Sequence, residues 1–427
     1  MVFTDIRSGH ALKDMNDREL IPHLFRTEYS KITAVLCKLF GLEHIEIAED
    51  IASETFLSAL ETWTYNGIPA NPTAWLYAVA KNKARNHLAR HRTFADKVVA
   101  QLKQSQEPQE MEIDLSVRNI SDSQLQMLFT ICHPAIPTEA QIGLALRILC
   151  GFGIDEIASA FLTNKEAINK RLFRAREQLR DESIRIEFPA EPEIKDRLEA
   201  VLTTLYLLFS EGYYSESRDP VLREELCIEA MRLTSLLIEN DQTNLPAANA
   251  LLALMCFHAS RFKARRDKEG MVVLYDDQDE TLWDQELIAK GAAFLHRATK
   301  GNRVTKYHLE AGIAYKHTAK ADTKEKWDGI LQLYNKLLVI EYSPIAALNR
   351  TYALSKVKGK EEAIAEAEKL NLSDNHFYFT LLGELYKGID NATAMDNFQK
   401  ALVIARTNTD KETIRRKIKD LQLQAPR

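Results

Sequence analysis

Residues 151–180, GFGIDEIASAFLTNKEAINKRLFRAREQLR, constrain what this chain can fold into more than any other segment. Their apolar spacing predicts two short helices joined by a tight turn, and cations follow the outer side of the second helix. A helix-turn-helix places such a helix in the DNA major groove, with early residues at base edges and later ones at phosphates. Taken alone, the segment also fits a surface helical hairpin with a solvated basic face. The residues predicted to bind DNA here are Lys165, Asn169, Lys170, Arg171, Arg174 and Arg176.

The rest of the chain has a helical composition. Only 12 prolines and 15 glycines interrupt its 427 residues, of which 45% are hydrophobic. Long runs rich in Ala, Leu, Glu and Lys between short breakers predict an all-α protein. Because the formal net charge is −5, local basic patches rather than overall charge must carry any DNA binding.

The sequence lacks the motifs typical of metalloenzymes, nucleotide-binding proteins, serine hydrolases and membrane proteins. The 11 histidines show no HExxH spacing, and neither a phosphate-cradling glycine loop nor a Gly-x-Ser-x-Gly elbow occurs. The five cysteines are scattered without a CxxC pair, which favours buried thiols over a metal site or disulfides. No run of about 18 apolar residues occurs, which predicts no membrane segment. We therefore expect a cytoplasmic protein that is not an enzyme and needs no cofactor or metal.

The chain divides at changes of composition. Residues 20–92 read as a first helical module that ends in a basic helix at 75–92. Residues 101–122 carry two cations against five acids and read as a flexible acidic tether. The basic helix presents a face suited to phosphates and strand-separated bases, formed by Lys81, Asn82, Lys83, Arg85, Asn86 and Arg90.

A break at 188–192 precedes a long helical tail. Near its end, residues 347–354 and 381–386 are offset by 34 positions, the tetratricopeptide period, and each is followed by a second predicted helix. The match is loose, so an irregular helical domain remains an alternative to stacked helix pairs.

Four motifs in order resemble the extracytoplasmic-function sigma factors of bacterial RNA polymerase. The segment 25–41, FRTEYSKITAVLCKLFG, resembles the first helix of sigma region two, and 49–60, EDIASETFLSAL, resembles its polymerase-binding helix. The segment 71–92 resembles the promoter-melting and minus-ten helix, and 136–180 resembles region four. The tail, with LYLLFSEGYY at 205–214, is similar to the subgroup with a tetratricopeptide-like extension.

The resemblance implies a sigma factor that directs promoter-specific initiation, with core RNA polymerase and promoter DNA as partners. It implies region two at 1–98, a flexible linker at 99–122, region four with the minus-thirty-five helix at 123–188, and a helical-repeat regulatory domain at 189–427. We expect that domain to dock on the DNA-binding modules and to bind a protein or peptide partner. The polymerase-binding residues implied by the motif are Glu49, Asp50, Ser53 and Glu54.

Two other functions fit part of the chain. A conventional helix-turn-helix regulator with a helical sensor domain explains the region around 151–180 and the tail. Such a regulator has no need of a second basic helix joined by an acidic tether, so it leaves residues 75–122 unexplained. A scaffold built on the repeats explains the tail but not residues 20–185.

Overall fold

The structure, a computed structural model, describes residues 17–99, 113–161, 163–214, 220–265, 273 and 275–423. Within these ranges the regular structure is entirely helical, which confirms the predicted all-α class. No helix among the described residues is both long and apolar enough to cross a membrane. Packing divides the chain into two compact units, residues 1–243 and 244–427.

The described residues of the first unit form nine α-helices. Short 3-10 turns and one π-helical turn, Ala145–Leu149, complete it. The helices are α1 Asp17–Phe40, α2 Ile45–Asn66, α3 Pro72–Val99, α4 Val117–Ile131, α5 Thr138–Leu144, α6 Ile154–Ala160, α7 Lys165–Asp181, α8 Ile194–Tyr214 and α9 Pro220–Glu239.

The described end of the predicted tether is ordered. Ile113 and Leu115 are buried, and Ser116 caps α4 by accepting a hydrogen bond from the backbone N–H of Asn119 at 3.3 Å. A serine at this position satisfies one of the free N–H groups of the first helical turn. Helix α4 therefore begins inside the stretch 99–122 that the sequence assigns to a linker; residues 100–112 lie outside the described part of the chain.

In the part of the second unit that the structure describes, there are also nine α-helices. They are α10 Pro246–Ala259, α11 Gln285–Ala298, α12 Lys306–Lys316, α13 Lys324–Ile340, α14 Pro344–Lys358, α15 Lys360–Leu370, α16 His376–Tyr386, α17 Asn391–Ile404 and α18 Asn408–Leu423.

The two segments offset by 34 residues fall on α14 and α16, and each is followed by its expected second helix, α15 and α17. Helices α16 and α17 approach closely because Gly383 has no side chain: a Cβ there would lie 2.5 Å from the Phe398 ring. Phe398 is fully buried, so this contact is part of the core of the pair.

Candidate DNA-binding and polymerase-binding surfaces

Helix α7 presents a cationic face. Asn164 caps its start, with Oδ1 accepting the backbone N–H of Ala167 at 2.8 Å. The apolar side, Ile168, Leu172, Ala175 and Leu179, is buried. Burial of that side leaves Lys165, Asn169, Lys170 and Arg174 exposed, with Arg171 half-buried and its guanidinium 5.5 Å from the centre of the Phe161 ring. Lys165 Nζ lies 2.6 Å from Asp155 Oδ1, and the exposed Asn169, Lys170 and Arg174 are accessible to a polyanion.

Arg176 is placed differently from the other five predicted DNA-binding residues on α7. Its side chain is only 15% exposed, and Nη2 lies 3.2 Å from Glu49 Oε2 while Nη1 lies 3.8 Å from Glu46 Oε1. In this conformation Arg176 therefore contacts α2 instead of facing solvent.

The basic half of α3 is largely accessible. Asn82, Arg85, Asn86 and Arg90 are exposed, and Lys81 is half-buried. The N-terminal half packs inward, where Trp75 meets Trp63 edge to face with ring centres 5.3 Å apart. Helix α3 thus combines an anchored start with a cationic, amide-rich surface.

Lys83 is half-buried on this helix, and its Nζ lies 3.1 Å from Glu54 Oε2 on α2. This contact links the basic helix to the predicted polymerase-binding helix.

The acidic face predicted on α2 is present only in part. Asp50, Ser53 and Glu54 are exposed, but Glu49 is 7% exposed and belongs to the core side of the helix. The sequence expectation that Glu49 faces outward is wrong for this conformation. Position 49 follows Ile45 by four residues, which places it on the buried face.

Glu49 is held by two arginines that are distant in sequence. Arg147 Nε lies 2.8 Å from Oε1, and Arg176 Nη2 lies 3.2 Å from Oε2. The same environment affects Tyr29, whose pKa is raised by burial and then by the negative charge of Glu49. A buried carboxylate needs such partners, since an unpaired buried charge is costly.

Arg26 on α1 joins three parts of the first unit. Its Nη2 lies 2.7 Å from Glu156 Oε1 on α6 and 3.2 Å from Glu225 Oε2 on α9. Its guanidinium also lies 4.4 Å from the centre of the Phe152 ring. Burial lowers the pKa of Arg26, but the hydrogen bond to Glu156 and the charges of Glu225 and Glu229 raise it above its ordinary value.

The first two tail helices, α8 and α9, each supply an arginine to the carbonyl end of another helical segment. Arg197 Nη2 donates to the carbonyl oxygen of Phe129 at 2.6 Å, at the end of α4. Arg232 Nη2 donates to the carbonyl oxygen of Leu149 at 2.7 Å, at the end of the π-helical turn. Cations at the carbonyl end of a helix complement its dipole and satisfy its unpaired acceptors.

A side-chain hydrogen bond adds to this contact. Thr204 Oγ1 donates to Gln141 Oε1 at 2.7 Å, and both residues are buried. Sequence reasoning missed these contacts because each partner lies 63 or more residues away. For the separate Arg147–Glu49 pair, the sequence does carry a signal, since Arg147 is a lone cation in the apolar run LALRILC.

Comparison with known proteins decides the family. Residues 24–94 match Sigma-70 region 2, a range that covers most of α1, all of α2 and most of α3. The chain is 30% identical over 141 residues to the RNA polymerase sigma-H factor of Pseudomonas aeruginosa, a match that covers 31% of this chain and 70% of that protein. The chain belongs to the RNA polymerase sigma factors. As a sigma factor it binds core RNA polymerase and promoter DNA.

Two further matches extend past the sigma region. This sigma factor is 34% identical over 385 residues to an uncharacterized protein of Rhizobium meliloti, covering 88% of this chain and 90% of the relative. Residues 197–299 match a family of unknown function, DUF6596. No solved structure matches the chain.

Proposed function

We propose that this sigma factor is of the extracytoplasmic-function type, with α3 at the minus-ten element and the helix pair α6–α7 as region four at the minus-thirty-five element. The observation that carries the proposal is the cationic face of α7. It stands on an Asn164-capped helix with a fully apolar opposite side, and it follows a region-two match in the same chain. Exposed amide and guanidinium groups suit base edges and phosphates.

The exposed side of α2 is the surface proposed to meet core polymerase. Asp50, Ser53 and Glu54 supply its polar part, and the exposed side chains of Leu57 and Leu60 supply an apolar part. A charged rim beside apolar contact area fits a cationic amphipathic partner helix. Glu49 joins this surface only when its arginine partners leave.

Two substitutions on α7 separate base reading from phosphate binding. Arg174→Ala weakens holoenzyme binding about equally on all promoters and reduces the salt slope by about one unit, because it removes a phosphate contact. Asn169→Ala relaxes base preference in the minus-thirty-five element, at about 1–3 kcal/mol for a lost bidentate contact. Filter binding of holoenzyme to matched and mutated promoters over a salt series measures both effects.

The matched control for these variants is Glu177→Gln, which changes one charge on the same helix outside the predicted contact set. It leaves both promoter preference and salt slope unchanged. Equal, sequence-independent losses for Asn169→Ala and Arg174→Ala contradict the assignment of α7.

We also propose that residues 189–427 regulate the sigma modules. Support comes from Arg197, Thr204 and Arg232 of the first tail helices, which bond directly to α4, α5 and the turn after α5. Thr204 directly precedes the 205–214 segment that the sequence indicated for docking. The helix pairs of the second unit are the part proposed to bind a protein or peptide partner, since stacked helical hairpins offer extended binding surfaces.

A further inference from the structure

We propose that the free sigma factor is held closed by an ionic lock made of two charge clusters, and that core polymerase binds only after the lock opens. The lock is defined as the Glu49–Arg147–Arg176 cluster together with the Arg26–Glu156–Glu225 cluster. This inference rests on the proposed assignment of α6–α7 as region four and adds the way in which that site is controlled.

In the first cluster, a residue proposed to bind polymerase and a residue proposed to bind DNA form an ion pair with each other. Glu49 belongs to the motif proposed for polymerase, and Arg176 to the helix proposed for DNA, yet their charged atoms are 3.2 Å apart. Side-chain exposure is 10% for Glu49 and 15% for Arg176, so little of either charge is available to a partner. One contact therefore withholds a group from both surfaces.

The second cluster includes a residue of the tail, so the tail contributes to the closed state. Arg26 of region two lies between Glu156 of α6 and Glu225 of α9, at 2.7 Å and 3.2 Å. A single guanidinium thus connects region two, the helix pair and the first part of the tail. The tail carboxylate of Glu225 contacts the same guanidinium nitrogen as Glu156, which gives the tail a direct effect on the lock.

The closed arrangement is incompatible with reading a promoter. Elements at minus ten and minus thirty-five are about 25 base pairs apart, which is about 85 Å along B-form DNA at about 3.4 Å per base pair. The ion pair between Arg176 of α7 and Glu49 of α2, with Nη2 3.2 Å from Oε2, keeps these two helices side by side. Helices α3 and α7 can contact both elements only after this ion pair breaks.

The chemistry of the contacts makes the lock reversible. Helix α1 also packs on α4 and on the π-helical turn, but the contacts of Arg26 and Glu49 with α6 and α7 are between charged groups, and these weaken as salt screens them. When the lock opens, cations on the polymerase surface take the place of the arginines beside Glu49. DNA phosphates take the place of the carboxylates beside Arg176. When the open form is a small fraction of the free protein, the apparent affinity for polymerase is reduced by that fraction. A change that increases the open fraction raises the apparent affinity by the same factor.

Distance measurement in the full-length chain tests the lock directly. The five native cysteines are buried, so spin labels attach selectively to Asn66→Cys at the end of α2 and Glu182→Cys just after α7, both at exposed positions. Pulsed dipolar spectroscopy then reports the fraction of molecules in which region two and α7 are close. The variants are Arg26→Gln and Glu225→Gln, each measured from low salt to about 1 M, where the screening length falls to about 3 Å.

We expect one short distance for the unmodified chain at low salt and a long-distance population that grows with salt. Arg26→Gln raises the open-to-closed ratio about tenfold or more, since it removes one charge-assisted hydrogen bond, to Glu156, and one ion pair, with Glu225. Glu225→Gln raises it less, because the Glu156 contact remains. The control Lys31→Gln removes a cation from the same helix, in a pair with Glu28 outside the lock, and leaves the ratio unchanged.

Binding of core polymerase to the same labelled proteins is measured as well. This second measurement shows whether a negative result contradicts the lock or the proposed sigma assignment. Arg26→Gln is expected to lower the apparent Kd for core polymerase by the factor that opening gains. If all variants keep the short distance at every salt concentration while circular dichroism shows them folded, the lock is overturned even when they bind polymerase. If distances shift as expected but no variant binds polymerase, the proposed site is overturned and the inference falls with it.

Discussion

Cutting the chain after Arg185 is expected to abolish cooperative folding of the sigma part, whereas cutting after Thr243 preserves it. The compact unit ends at Thr243, so a cut at 185 removes two helices from it. The shorter fragment loses the hydrogen bonds from Arg197 to Phe129 and from Arg232 to Leu149. Hydrogen bonds to charged groups are worth about 1.5–3 kcal/mol each, against a total stability of about 5–15 kcal/mol.

Apolar packing adds to this loss. Phe188 lies against Phe129, with ring centres 5.2 Å apart, and is absent from the shorter fragment. Thermal unfolding followed by circular dichroism compares fragments 1–185 and 1–243. A sharp transition in fragment 1–185, at the temperature of fragment 1–243, contradicts the view that α8 and α9 complete the sigma unit.

Arg232→Met is expected to destabilise fragment 1–243 by about 3 kcal/mol and to lower its Tm by about 6–12 °C. The substitution removes a guanidinium that contacts Glu229 Oε2 at 2.8 Å and the Leu149 carbonyl oxygen at 2.7 Å. Its side chain is 22% exposed and that of Glu229 is 14% exposed, so water replaces the lost partners poorly. Met keeps the apolar bulk, which isolates the effect of the charge.

Arg180→Met is the control because Arg180 is exposed and pairs with Glu177 only three residues away. Exposed pairs of this kind contribute about 0–1 kcal/mol. Urea titration of both variants gives the free energies of unfolding. Equal, small losses for the two substitutions contradict a structural role for the Arg232 contact.

The α-helical class and most helix positions could be predicted from the sequence because they depend on local spacing. Helix α7 follows its apolar stripe and its Asn164 cap, and both are visible within 17 residues. The same locality explains why the repeat-like pairs near the end of the chain were found from an offset of 34 positions.

Long-range electrostatics could not be predicted in this way. Glu49 seemed one of four equivalent polar residues, but its environment is decided by Arg147 and Arg176, which are 98 and 127 residues away. The end of the first packing unit at Thr243 was likewise hidden, because Arg197 and Arg232 find their acceptors across 68 and 83 residues.

Run-off transcription with purified core polymerase tests the central proposal most directly. Genomic fragments are transcribed with core polymerase alone, with the full-length chain, and with fragment 1–243. The account predicts discrete start sites that require the added protein, and a change in output or polymerase affinity between the full chain and the folded fragment. Folded full-length protein that neither binds core polymerase nor yields any new start site contradicts the account.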